Sequence, residues 1–119
     1  MRKALVAAVL SVLVFATAAF GAGQLGSATT NVAVTAGKPS ELRFTLSRKT
    51  VPKGTVVFKV TNRGKLSHDF RIAGKKTALL RAGKTATLRV AIAKAGRYAY
   101  LCTVPGHAAG GMKGTLRVT

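Results

Sequence analysis

Arg97-Tyr-Ala-Tyr-Leu-Cys102-Thr-Val-Pro-Gly-His107-Ala-Ala-Gly-Gly-Met112-Lys-Gly-Thr-Leu-Arg-Val118 decides how this chain folds. Residues 97–102 and 113–118 are short runs rich in β-branched and aromatic residues, each of strand length. Between them Pro105, Gly106, Gly110 and Gly111 let the backbone double back tightly. The stretch therefore predicts a strand ending at Cys102, a compact loop, and a further strand. That loop aims a thiol, an imidazole and a thioether at one point, which neither a helix nor a strand could do from positions so close in sequence. His68 is remote in sequence, so it has to arrive from a neighbouring strand that opens at the same end.

Thiolate, two imidazoles and a thioether are soft or borderline donors. They suit copper in both oxidation states, whereas thioether is a poor ligand for magnesium or calcium and an unusual one for zinc. His68, Cys102, His107 and Met112 thus form a candidate metal set, His₂Cys with a weak axial Met, for one copper ion of the electron-transfer type. Plainer readings stand beside it. A lone Cys is often a core filler, His68 could be an ordinary buried histidine, and a Cys-His pair can be a nucleophile. The chain holds one Cys, two His and two Met. Every one of these except the initiator Met falls into the constellation, and no third group suited to orienting a nucleophile lies nearby.

Outward from the loop, short alternating runs broken by glycine fill the rest of the domain. Strands are expected over 31–35, 41–47, 55–61, 68–73, 85–92, 97–102 and 113–118, with Leu42, Phe44 and Leu46 sharing one face, and Leu88, Val90 and Ile92 another. Glycines at 54, 64, 74, 83, 96, 106 and 114 recur about every ten residues, the rhythm of a sandwich of short strands. The expected fold is all-β, an antiparallel Greek-key sandwich or barrel of about seven to eight strands.

Met1-Arg2-Lys3, an apolar run from Ala4 to Phe20 and small residues up to Ala28 have the order of a secretory signal. An uncleaved anchor helix is the alternative, because the apolar run is at the short limit for a span. The domain division is then 1–28 as leader and start of linker, and 29–119 as a single domain, exported to the periplasm or another extracytoplasmic space. One Cys forbids an internal disulfide. The whole chain has 20 Lys and Arg against two acids, Glu41 and Asp69, for a formal charge of +18; loss of Arg2 and Lys3 would leave +16. Such charge favours acidic partners and makes association salt-sensitive. Acidic redox proteins and an anionic membrane or cell-wall surface are the expected partners of a monomer. Nucleic acid is disfavoured, since the basic residues form no dense tract and no aromatic platform accompanies them.

Two segments resemble the small blue (type 1) copper proteins, the cupredoxins. Asn62-Arg-Gly-Lys-Leu-Ser-His68-Asp-Phe70 is similar to their Asn-x-Gly-x-x-x-His-x-Phe segment, and Tyr100-Leu-Cys102-Thr-Val-Pro-Gly-His107 with Met112 is similar to their ligand loop. The Cys-Thr-x-Pro-Gly-His part is azurin-like. The four residues between His107 and Met112 fit the plastocyanin and auracyanin pattern better. The resemblance implies a non-enzymatic electron carrier with His68, Cys102, His107 and Met112 as ligands and His107 as the partly exposed one. It implies a docking patch of Pro105, Ala108, Ala109 and Gly110 around that edge. Asn62, Asp69 and Val104 are expected to support the ligands, with the Asp69 and Val104 N–H groups turned to the Cys102 sulfur. Two alternatives remain at this level: a copper-delivery protein for oxidase assembly, and a basic binding module without metal.

Overall fold

The computed structural model describes residues 28–119, so the leader or anchor helix expected over 1–28 lies almost wholly outside the described residues. Nine strands follow in chain order: β1 (Thr29–Ala36), β2 (Phe44–Leu46), β3 (Thr50–Val51), β4 (Gly54–Asn62), β5 (Arg71–Ile72), β6 (Lys75–Lys76), β7 (Thr85–Ile92), β8 (Gly96–Leu101) and β9 (Lys113–Val118). They form a four-stranded sheet, β2-β1-β4-β7, and a five-stranded sheet, β3-β9-β8-β5-β6. Among the described residues no helix is long and apolar enough to cross a membrane.

Alternation explains the elements. In β1 the side chains of Thr30, Val32, Val34 and Ala36 are buried while Asn31 and Ala33 face out; in β4 Val56, Phe58, Val60 and Asn62 take the inner face. β7 turns Val90 and Ile92 inward, and β9 does the same with Leu116 and Val118. Period-two burial of this kind fits strands packed on one side only. Between the sheets sits an aromatic group. Phe70, fully buried, lies with its ring centroid 5.3 Å from Phe44, 5.2 Å from Phe58 and 5.5 Å from Tyr100.

The sandwich expected from sequence is present, with three differences. The sheets are mixed rather than purely antiparallel: β1 runs parallel to β4 over its whole length, and β3 runs parallel to β9. The chain leaves the four-stranded sheet after β2, adds β3 to the other sheet and returns as β4 beside β1, and a crossover of this length permits a parallel pair. Second, two two-residue strands, β3 and β6, bring the count to nine. Third, two strands are shorter than expected. The 41–47 run is strand only over 44–46, because Glu41 turns away to a different task. The 68–73 run is strand only over 71–72, and His68 instead forms an isolated bridge with Leu80, giving N–H···O distances of 2.9 and 2.7 Å.

Candidate metal centre

One end of the sandwich gathers the sulfur and imidazole groups. β8 stops at Leu101 and β9 starts at Lys113, and the loop between them is closed by its own backbone: Cys102 N–H donates to Met112 O at 3.1 Å, and Met112 N–H to His107 O at 3.0 Å. Gly111 makes this closure possible. Its φ of 113° is one that L side chains rarely adopt, and a Cβ there would collide with the Arg43 guanidinium. Cys102 and Met112 are buried together against Ala36, with Leu42, Phe44 and Val104 around them.

The donor atoms converge. His68 Nδ1 lies 3.1 Å from His107 Nδ1 and 4.0 Å from Cys102 Sγ, and His107 Nδ1 lies 3.6 Å from the same sulfur. Two N or S donors bonded to one ion at about 2.0–2.3 Å can be no more than about 4–4.6 Å apart. All three separations satisfy that bound, so the residues fit a metal ion. His68 is fully buried and His107 half-buried. Met112, fully buried beside Cys102, completes a His₂Cys-plus-Met set, the donor chemistry of a type 1 copper site.

Burial pushes the Cys102 thiol above its ordinary pKa, opposed by the backbone N–H groups of Asp69 and Val104. A metal taking this sulfur therefore has to displace its proton. His107 is shifted the other way, mainly by burial, which favours the neutral form that can act as a ligand. Asp69 N–H reaches Cys102 Sγ at 3.5 Å, while the Asp69 carboxylate accepts from Thr103 N–H at 2.6 Å and from the Thr103 hydroxyl. Asn62, fully buried, donates from Nδ2 to Leu66 O and Leu80 O, each at 2.8 Å, and accepts from Gly64 N–H at 2.9 Å. It thereby ties the loop before His68 to the residue that bridges His68. Pro105, Ala109 and Gly110 are exposed and Ala108 half-buried around His107.

A cupredoxin-like domain profile matches residues 5–118, nearly the whole chain. The chain belongs to the cupredoxin-like family. A 43-residue stretch is 49% identical to auracyanin-B of Chloroflexus aurantiacus; it covers 36% of this chain but only 18% of that protein's length. Among solved structures, auracyanin B superposes with a TM-score of 0.65 at 24% identity, covering 78% of this chain and 90% of that one. Rusticyanin from Thiobacillus ferrooxidans superposes with a TM-score of 0.67 at 25% identity, covering 76% and 77%. Copper is the metal of this cupredoxin site, consistent with the donor set.

Sequence reading missed Glu41. Its carboxylate Oε1 accepts from His68 Nε2 at 2.8 Å and from Leu66 N–H at 2.8 Å, and both its oxygens lie 3.0 Å from Lys65 N. The carboxylate calls for a proton on Nε2 and so leaves the His68 Nδ1 lone pair facing the other donors, the arrangement by which carboxylates orient metal-binding histidines. The glycine at 64 makes room: a Cβ there would lie 2.5 Å from Glu41 Oε1. An Asn-x-Gly turn was legible, but not which distant acid would fill the space.

Those bonds, chiefly the Lys65 and Leu66 N–H groups, hold the Glu41 pKa near 2, down from 4.5. A carboxylate with a depressed folded pKa adds stability above its unfolded pKa and loses it as pH falls through the folded one. Metal-free wild type should therefore be more resistant to urea than Glu41→Gln by a constant margin above pH 4.5, and the margin should close as pH approaches about 2. Denaturant midpoints at several pH values check this; a margin independent of pH would show that the charge of Glu41 plays no part.

Proposed function

We propose that this protein is an exported one-electron carrier that cycles copper between two oxidation states and turns over no substrate. The observation that carries the reading is the convergence of three donor atoms, two of them on buried residues and the third on His107 at the surface. Bound copper supplies a single-electron couple; the chain holds its donors still and keeps water from them. The donors are braced on several sides. Glu41 and the Leu80 bridge fix His68, the Asp69 N–H group stabilises thiolate charge, and backbone bonds within the loop seat His107 and Met112. Bracing of this kind limits rearrangement on electron transfer and favours a carrier over a protein that must release its ion to an acceptor.

His107 provides the edge for exchange. The small and apolar residues Pro105, Ala108, Ala109 and Gly110 surround it. Two exposed leucines, Leu66 (51% exposed) and Leu79 (60%), stand on the segments that hold His68, at the same end. A patch of small and apolar residues, with the exposed Arg43 guanidinium at its edge 3.5 Å from Gly110 O, suits brief encounters with small interfaces. The basic residues beyond the patch attract acidic redox partners, so the exchange rate with such a partner should fall as ionic strength rises. A rate indifferent to salt, measured by stopped flow, would remove steering from the mechanism. The secretory order of residues 1–28 supports an extracytoplasmic site of action, whether the segment is cut or retained as an anchor.

The absorption spectrum of the oxidised copper-loaded protein tests the reading: an intense visible thiolate-to-copper band is expected. Met112→Leu should keep that band and raise the reduction potential, since a weak donor to the oxidised ion is lost. An unchanged potential would place Met112 outside the coordination sphere.

A further inference from the structure

The end of the sandwich remote from the metal has a chemistry of its own. Strand register puts Gly54 opposite Ile92 and Gly96 opposite Val118 at that end, and the chain arrives there too, since Thr55 N–H donates to Ala28 O at 3.2 Å. Lys49, Lys53, Lys94, Arg97 and Arg117 are all exposed in the strands and turns that meet there. Thr119 O accepts from Lys53 N–H at 3.0 Å, and Lys49 O accepts from Arg117 N–H at 2.9 Å, which knits these segments together. Arg97 and Arg117 are direct cross-strand partners and line one open pocket of about 510 Å³. Like charges placed directly opposite on a sheet repel. No acidic side chain offsets them, because both acids of the chain are engaged at the metal end, Glu41 on His68 and Asp69 on Thr103.

We propose that this end rests on anionic phospholipid headgroups, with Arg97 and Arg117 holding phosphates, so that the ligand loop points away from the bilayer. Three features select a lipid surface over another polyanion. The apolar run Ala4–Phe20 precedes this end of the domain, and the eight residues from Gly21 to Ala28 can reach at most about 26–29 Å. A membrane-embedded run would keep these five cations close to the bilayer surface, where each adds affinity for anionic lipid. The pocket is lined by no aromatic residue that could stack on a base or anchor a protein interface. Tyr98 instead packs against the core, with its hydroxyl donating to Lys94 O at 2.7 Å. Finally, long basic side chains can lie along a surface with their charged heads in the headgroup layer. The surface involves none of the metal ligands, so it goes beyond the electron-carrier reading and stands or falls separately from it.

The full chain, reconstituted into phosphatidylcholine vesicles with and without phosphatidylglycerol, tests the orientation through residue-resolved phenylglyoxal modification. Arg97 and Arg117 should be protected several-fold in the anionic vesicles and react freely in the neutral ones, with protection lost at high salt. Arg43 and Arg63, at the metal end, should react equally in both. The charge-matched variant Lys59→Gln/Arg89→Gln, on the outer face of the other sheet, should keep the protection, and Lys53→Gln/Lys94→Gln should weaken it. Equal reactivity of Arg97 and Arg117 in the two vesicle types would overturn the proposal. So would protection of Arg43 and Arg63 instead, equal weakening by the two variants, or equal protection by inorganic phosphate without vesicles.

Discussion

Cys102→Ser should abolish the visible thiolate-to-copper band and lower copper affinity by well over the roughly 100-fold that loss of an outer partner can cost. The reasoning starts from the donor inventory. Cys102 carries the only thiol of the chain, it is 1% exposed, and its sulfur lies within 4.0 Å of both imidazole Nδ1 atoms. A serine oxygen is smaller and harder, holds its proton far more tightly, and has no low-lying sulfur electrons to give the band. The fold should survive, because Asp69 N–H can donate to the hydroxyl as it does to the sulfur and the cavity left is small. Absorption spectroscopy and copper calorimetry on the variant, with urea unfolding of the metal-free form as the fold control, make the comparison. A variant that stays intensely coloured would sink the type 1 assignment.

Phe70→Ala should cost about 3–5 kcal/mol of stability in the metal-free protein, as large aromatic truncations in a core do. That is a large share of the whole for a domain of this size. Phe70 is fully buried, and its ring meets Phe44, Phe58 and Tyr100, which come from both sheets. Truncation leaves a cavity at the junction of the sheets, where neither can relax without breaking its own ladder. Phe70 also stands two residues after His68 and is tied to Thr77 by two hydrogen bonds, its N–H donating to the Thr77 side-chain Oγ1 at 3.1 Å and Thr77 N–H to Phe70 O at 2.9 Å. Copper affinity should therefore fall along with the unfolding midpoint. Thermal unfolding should show Tm lowered by at least roughly 12 °C. A stability loss below about 1.5 kcal/mol would mean that the aromatic group is not the keystone its contacts indicate.

How much of this was written in the sequence depends on distance along the chain. The ligand loop was legible because Cys102, His107 and Met112 lie on one short segment whose glycines and proline permit only a tight reversal. The inner faces of β1, β4, β7 and β9 were legible because burial on one side leaves a period of two. Asn62 and Asp69 were singled out only by the resemblance of the segment Asn62–Phe70 to the cupredoxins; in the structure Asn62 Nδ2 donates to Leu80 O and Asp69 N–H reaches the Cys102 sulfur. Glu41 was not. It reads as one polar residue of an alternating run, and only the folded chain brings it 27 positions onward to His68 Nε2.

The basic residues show the same division from the other side. Spaced along the chain, Lys49, Lys53, Lys94, Arg97 and Arg117 look like scattered solvent-facing charges, yet register joins them at one end. Strand direction was likewise hidden: nothing in Thr29–Ala36 or Gly54–Asn62 distinguishes a parallel from an antiparallel partner. The sequence by itself determined which atoms can bind copper and which faces turn inward, because side-chain chemistry and alternation are properties of neighbouring residues. Tertiary structure alone decided which strands lie side by side, which acid orients His68 and where the cations meet. Backbone hydrogen bonds are nearly the same for every residue, so only the packing of the whole core can choose among the pairings they allow.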